Sequence, residues 1–420
     1  MGIFAFLEDG IMNKRILFLA VLLLSLLLCL PALADEARDI TDQCRISVAP
    51  QSYKVDRITD RDYATPNLTE KQRNPTITVT SAEPMFGVYV CFGTALNPWQ
   101  IEARHGGVWE TVYESQGLYA HEYAPLPGGE TEIRFKPVVT KNVIFNITEL
   151  FAFSDGEIPD WVQIWHPAPE KADLLVLAGH PDDEILFFGG CIPTYAGERQ
   201  MNVVVAYLTC GTNSKGTEMR RSELLNGLWA MGVRTYPVFG GFWDGYSKTL
   251  AKAYDNWGKS AVNKWIVSLL RQYKPEVVVT HDTKGEYGHG AHQVCADAML
   301  NCIKTAADES KYTDSTKAFG TWELKKLYLH LYKDGALEMD WDQPLSAFGG
   351  RTGFEVAEEA YQLHVSQKDA AQKNPDTGKY ELFVVEPRDS KYSCYRFGLA
   401  YSAVGPDVEK NDFFEHIPVD

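Results

Sequence analysis

The stretch Leu174-Leu175-Val176-Leu177-Ala178-Gly179-His180-Pro181-Asp182-Asp183-Glu184 decides the fold of the larger part of this chain. Its first five residues form an unbroken apolar run. That pattern suits a strand buried on both faces, and such strands belong to parallel sheets covered by helices. The polar residues after it end the strand. Pro181 restrains His180 to an extended conformation and is suited to the first position of a helix. The two aspartates then fall in the first helical turn, where the helix dipole favours negative charge.

Downstream, the same rhythm repeats. A helical pattern over Glu184 to Arg199 precedes a strand from Asn202 to Thr209, a helix from Glu218 to Met231 and a strand from Tyr236 to Phe242. Then come a helix from Lys259 to Tyr273, a strand from Glu276 to Thr280, a helix from Ala291 to Ala307 and a strand from Leu327 to Leu331. Alternation of this kind implies right-handed βαβ units in an α/β, Rossmann-like, mostly parallel sheet with flanking helices. This domain is expected over residues 173–395, with 396–420 as a C-terminal tail.

Upstream, the rhythm is different. Residues 35–160 carry short alternating runs such as Thr76–Thr80, Phe86–Val90, Trp109–Tyr113 and Glu132–Phe135, separated by turn signals including Gly106-Gly107 and Pro127-Gly128-Gly129. They read as an all-β sandwich. The stretch Ser154 to Ala172 contains Pro159, Pro167 and Pro169, so a linker is expected over 161–172. The segment Ile58-Thr59-Asp60-Arg61-Asp62-Tyr63 and the strand Ile147-Thr148-Glu149-Leu150 resemble discoidin-like jelly rolls, a resemblance that implies carbohydrate binding. A plain spacer is the other reading.

At the N-terminus, Lys14-Arg15 precede the apolar run Ile16 to Leu30, which closes on Pro31-Ala32-Leu33-Ala34 before Asp35. A basic start, a short apolar stretch and an Ala-x-Ala site describe an export signal over 1–34, cleaved near Ala34-Asp35. The run is shorter than the roughly 20 residues that span a bilayer, so no stable membrane span is expected after cleavage. Met12 lies just before the basic pair, which makes a start at Met12, with residues 1–11 a start-site artefact, one expectation beside a start at Met1. The 420 residues carry a formal charge of −16, which argues against nucleic acid as a partner. Of eight cysteines, Cys44 and Cys91 are candidates for a disulfide in the β-rich part, while Cys191, Cys210, Cys295, Cys302 and Cys394 read as small buried hydrophobes.

Two polar clusters sit at expected strand ends, where open parallel sheets place their sites. The first is Gly179 to Glu184. The second is Thr280-His281-Asp282 followed by Gly285-Glu286-Tyr287-Gly288-His289-Gly290-Ala291-His292. His289 and His292 are three apart at a helix start and can share a face. Zinc takes imidazole and carboxylate ligands and, in catalytic sites, keeps a position open for water. His180, one of the two aspartates and one histidine of the second cluster make such a set, and the spare aspartate is placed to take a proton from the water.

The paired clusters resemble the LmbE/PIG-L deacetylases, whose signature is Ala-His-Pro-Asp-Asp-Glu with a downstream Gly-Tyr-Gly-His-x-x-His. Here Gly179 replaces the alanine, and Glu286 stands where a glycine is common. The resemblance covers about residues 172–395. It implies one divalent metal, zinc, held by His180, Asp183 and His292, with Asp182 as general base. It implies that His289 stabilises the oxyanion or protonates the leaving amine, assisted by Tyr287, and that Arg220 and Asp244 hold the sugar. The implied activity is removal of an acetyl group from an N-acetylglucosamine-type amino sugar or glycan. An amidase acting on a non-sugar N-acyl or thiol-conjugate substrate, and a carbohydrate-binding protein with an inactive enzyme domain, are the competing readings. The intact Asp182 speaks against the second of these.

Overall fold

A computed structural model describes residues 35–50, 54–63, 75–93, 97–139, 146–209, 217–373, 378 and 380–418. The expected export signal and Cys210 lie outside the described residues.

The β-rich unit is built on two long strands. Its elements are β1 (Cys44–Ala49), β2 (Thr76–Phe92), β3 (Trp99–His105), β4 (Val108–Ser115), β5 (His121–Pro137) and β6 (Ile147–Phe153), ordered β1-β2-β5-β3-β4 with β6 also on β2. All of these pairings are antiparallel. The first part of β2 pairs with β1 and the last part with β6, while β5 runs along the whole of its other edge. Between Thr80 and Gly87 the β2–β5 register shifts twice. Such bulges bend a strand and increase its twist, so the sheet folds over its own core. That core includes Ile77, Val79, Val88, Trp99, Ile101, Ile133 and Phe135.

The α/β unit holds the second sheet. Its strands are β7 (Leu174–Ala178), β8 (Val203–Thr209), β9 (Val238–Phe242), β10 (Val277–Thr280), β11 (Lys326–His330) and β12 (Ala336–Glu338); a separate hairpin pairs β13 (Ala371–Lys373) with β14 (Tyr380–Leu382), and β15 (Arg396–Ser402) ends the series. The sheet order is β12-β15-β11-β10-β7-β8-β9. From β11 through β9 all neighbours are parallel; β15 and β12 are antiparallel. The chain runs outward from β7 first to β8 and β9, then returns to lay β10 on its other side. The switch point of the sheet is therefore between β7 and β10.

The helices are α1 (Asp183–Leu186), α2 (Thr217–Ala230), α3 (Leu250–Trp257), α4 (Lys259–Tyr273), α5 (Gly290–Ala307), α6 (Thr313–Phe319) and α7 (Gly353–Tyr361). Alternate side chains of β7 feed two cores. Leu174 and Val176 pack with Leu224, Leu225 and Leu228 of α2, and Leu175 and Leu177 with Val262 and Ile266 of α4 and Val294 of α5. This is why the run after Asp173 has no polar alternation. Truncating one such leucine to alanine costs about 2–5 kcal/mol.

Several expectations are corrected. The helix expected over Glu184 to Arg199 is broken: α1 ends at Leu186, and a π-helical turn occupies Pro193–Glu198. Gly189 lies at φ +42°, and a Cβ on it would sit 2.4 Å from Cys394 Sγ, so the break lets the C-terminal segment approach. The expected tail over 396–420 instead contributes β15 to the sheet and Phe413 and Phe414 to the core. The expected linker packs as well: Val162 and Trp165 are buried, and His166 N–H donates to the Arg234 carbonyl at 2.9 Å. Cys44 and Cys91 are free thiols. Cys44 is opposite Ser81 on β2, and Cys91 lies ten residues farther along that same strand, so the two cannot meet.

Between the units, His121 at the start of β5 is fully buried. Its Nδ1 is 2.9 Å from Gln163 Oε1 and 3.1 Å from the Tyr89 hydroxyl, and its Nε2 is 3.2 Å from Ser222 Oγ on α2. Gln163 Nε2 donates to Asn226 Oδ1, also on α2. No helix among the described residues is long and apolar enough to cross a membrane.

Candidate active site

The two polar clusters meet at the switch point. The first leaves β7 and the second leaves β10, and β7 and β10 are paired in parallel from Leu174 opposite Val277 to Leu177 opposite Thr280. Asp183 is the centre of the meeting. Its Oδ2 accepts from the His180 backbone N–H at 2.7 Å, lies 2.9 Å from His180 Nδ1 and lies 3.2 Å from His292 Nε2. His180, His289 and His292 each offer a ring nitrogen within 4.8 Å of the others, and Asp183, His281 and His292 form a second such group.

The expected ligands His180, Asp183 and His292 are thus brought together, and their donor set fits a divalent cation. Burial alone would raise the Asp183 carboxyl, but His292 and His180 hold it well below the ordinary range. Burial alone would lower His292, yet Asp183 and Glu286 push it up to about 10. The same negative field favours a cation. His281 is the weaker ligand candidate. Its Nε2 already accepts the Gly179 backbone N–H at 3.1 Å while its Nδ1 donates to Glu286 at 2.7 Å, so its lone pair is engaged.

Gly179 matters through space. A Cβ there would sit 3.1 Å from both Asp183 Oδ2 and His292 Cδ2, a tight fit in which only a small residue stays clear of the ligand set.

Asp182, the spare aspartate, is buried beside this set with φ +109°, a conformation that L-residues rarely adopt. Its backbone N–H donates to Glu184 Oε2 at 2.9 Å. Burial pushes its carboxyl up to about 7, with Asp183 adding repulsion against the pull of Arg220. Arg220, expected to hold sugar, forms an ion pair with Asp182 Oδ2 at 3.2 Å and donates to the Pro181 carbonyl. It lines the pocket, but its charge is directed at Asp182.

His289 caps α5: its Nδ1 accepts from the Ala291 N–H at 3.3 Å. The ring lies 4.6 Å from that of His180 and 4.8 Å from that of His292, centroid to centroid. Burial and the neighbouring imidazoles depress it to about 2, so it is neutral, and with Nδ1 accepting it carries its proton on Nε2. Tyr287 differs from expectation. Its hydroxyl donates to Glu386 Oε1 instead of pointing at the ligands, while its ring lines the pocket. Asp244 Oδ1 lies 3.7 Å from His180 Nε2 on the pocket wall.

The pocket over this constellation has a volume of about 220 Å³ and is completed by Leu186, Phe187, Tyr246, Gln367 and Phe383. Tyr246, Gln367 and Phe383 were not singled out in the sequence; they lie in segments without a readable pattern. His330 was also missed. It ends β11, where the strand-end rule points, but its partner is far away in sequence. It donates from Nδ1 to Glu286 Oε1 at 2.5 Å and from Nε2 to the Ser393 carbonyl at 3.0 Å. Glu286 is fully buried and accepts, on its other oxygen, from His281 and from His292 Nδ1 at 2.9 Å. Burial would raise its carboxyl, but the three imidazoles hold it well below the ordinary range.

A mostly parallel sheet with a buried carboxylate–histidine cluster at its switch point, whose ligand atoms could hold a cation, is the class of α/β domain the structure shows. Residues 175–303 match the model of the PIG-L family, described as GlcNAc-PI de-N-acetylase. A 1D-myo-inositol 2-acetamido-2-deoxy-alpha-D-glucopyranoside deacetylase of Rhodococcus opacus is 32% identical over 190 residues, 39% of this chain and 63% of the relative. One from Catenulispora acidiphila is 26% identical over 225 residues, 47% of this chain and 67% of the relative. The chain thus spans about two thirds or less of the length of these relatives. Among solved structures, N,N'-diacetylchitobiose deacetylase from Pyrococcus horikoshii is 17% identical with a TM-score of 0.36, covering 47% of this chain and 71% of that one.

Proposed function

We propose that this protein is an exported, zinc-dependent hydrolase that removes the N-acetyl group from an N-acetylglucosamine-type sugar or glycan. The observation that carries this reading is the convergence of His180 and His292 on one oxygen of Asp183, with a second buried carboxylate, Asp182, beside it. The family match over 175–303 and the relatives' named activity support the amide-cleaving class.

His180, Asp183 and His292 would hold a zinc ion, which would supply Lewis acidity and an activated water. Asp182, buried beside that set, is placed to take a proton from a water attacking the carbonyl carbon. Arg220 holds the Asp182 carboxylate in place through their ion pair. His289, fixed by its cap bond to Ala291, presents Nε2–H to the developing oxyanion. The C–N bond breaks as the amine nitrogen gains the proton that Asp182 took up, leaving acetate and a free amino sugar. The sugar reading draws support from Trp243 and Tyr246, two half- to mostly exposed aromatics on either side of Asp244, since aromatic faces pair well with the apolar face of a pyranose.

The test is release of free amine from N-acetylglucosamine, its oligomers and non-sugar N-acetyl compounds by purified, zinc-loaded protein. Amine release from the sugars, absent in chelator-stripped protein, is expected. Turnover of the non-sugar amides alone would replace the sugar reading with the amidase one.

A further inference from the structure

We infer that Glu286 is a positioning residue that sets the tautomer of the ligand His292 and locks the two ligand-bearing loops together. The inference rests on the metal-site reading above and adds a residue to it. Four donors converge on this one buried carboxylate. Oε2 accepts from His292 Nδ1 at 2.9 Å and from His281 Nδ1 at 2.7 Å, and Oε1 accepts from His330 Nδ1 at 2.5 Å and from the Asp282 backbone N–H at 3.1 Å.

A histidine that donates Nδ1–H to a carboxylate keeps its lone pair on Nε2 and cannot turn its ring. In His292 that nitrogen is the one 3.2 Å from Asp183 Oδ2, and its lone pair is the one a bound cation would take in place of a proton. His281 receives the same constraint, and its freed Nε2 accepts the N–H of Gly179, the residue before His180. Glu286 therefore acts on both clusters: directly on the loop after β10, and through His281 on the loop after β7. His281 and His292 stack with centroids 4.1 Å apart and planes within 16°, which keeps both Nδ1 atoms on one oxygen. His330 anchors the carboxylate to β11 from the side away from Asp183.

The position is one where this chain departs from the pattern it resembles, with a carboxylate in place of a glycine. A buried carboxylate is retained only where donors satisfy it, and here the donors all belong to the metal-site scaffold.

The test measures zinc affinity by chelator competition for the wild-type chain, Glu286→Gln, Glu286→Asp and His330→Gln, with the tautomer of His292 read from its ring ¹⁵N shifts in zinc-loaded protein. Removing such a ligand-orienting partner weakens metal binding by about 10–100-fold. That loss is expected in Glu286→Gln, together with a mixture of His292 tautomers. His330→Gln cuts the network on the far side, so it is expected to lower the melting temperature while leaving zinc affinity within about threefold. Should Glu286→Gln fail to fold, Glu286→Asp keeps the charge on a shorter stem and is expected to weaken zinc by about tenfold. Folded variants at position 286 that hold zinc as tightly as wild type, or a His330→Gln loss equal to that of Glu286→Gln, overturn the inference. A wild-type chain that takes up no zinc would instead overturn the functional reading beneath it.

Discussion

His121 sits where the β-rich unit meets the α/β unit, and His292 sits where β7 and β10 part; both are buried, at 0% and 3% exposed. Their chemistry is nevertheless opposite. His121 is surrounded by neutral partners, a tyrosine hydroxyl, an amide oxygen and a serine hydroxyl, and burial lowers it to about 3. His292 faces two carboxylates, which overcome the same burial and raise it. Burial of a histidine therefore does not distinguish a structural from a functional role. The charge of what it touches does.

The comparison can be broken in order of expected effect. His292→Ala removes one of the three proposed ligands, so zinc content should fall to background and amine release by more than about 10³-fold; retention of stoichiometric zinc would separate His292 from the metal. Next, Asp182→Asn and His289→Ala should each keep zinc while kcat falls by roughly 10²–10⁴, the usual worth of a positioned acid or base. Zinc loss in Asp182→Asn would make that residue a ligand instead. Arg220→Gln acts one contact further out, through Asp182, and should lower kcat by about tenfold with zinc retained; a rise in KM at constant kcat would return Arg220 to substrate binding.

The smallest effect belongs to His121. At pH 7, His121→Gln should lower the melting temperature by about 2–4 °C and leave zinc content unchanged. The pH dependence has a definite sign. Because the folded-state pKa of His121 is depressed, the unfolded chain takes up the proton first as pH falls below about 6.5, so wild type loses stability between there and about pH 3. His121→Gln lacks this loss, and thermal melts at pH 7 and pH 4.5 should show the gap between the two proteins narrowing. A gap that widens toward acid would mean that His121 gains, not loses, a proton on folding.

Much of the site was readable because its signals are local. The apolar run 174–178 and the polar turn after it lie within eleven residues, and strand-end logic locates both clusters. The parts that escaped are made by long-range pairing. His330 meets Glu286 across 44 residues, and Tyr287 gives its hydroxyl to Glu386 across 99. No period in the chain announces either bond. The β15 strand was hidden for a related reason: it enters antiparallel at the end of a βαβ series, next to β11, and its pattern Arg396-Phe397-Gly398-Leu399 looks like any short alternating segment. The β-rich unit was legible as strands but not as a brace: nothing near His121 in the sequence points to Ser222 on α2.

Asp182 carries one more consequence. Its backbone is held at φ +109°, where glycine is at ease and a side-chain-bearing residue costs of order 1–3 kcal/mol. A chain selected for thermal endurance alone would drift to glycine at this position and gain stability while losing the carboxylate proposed as its base. Stabilised but inert descendants should therefore be reachable in a single step, and libraries screened only for heat resistance would enrich for them.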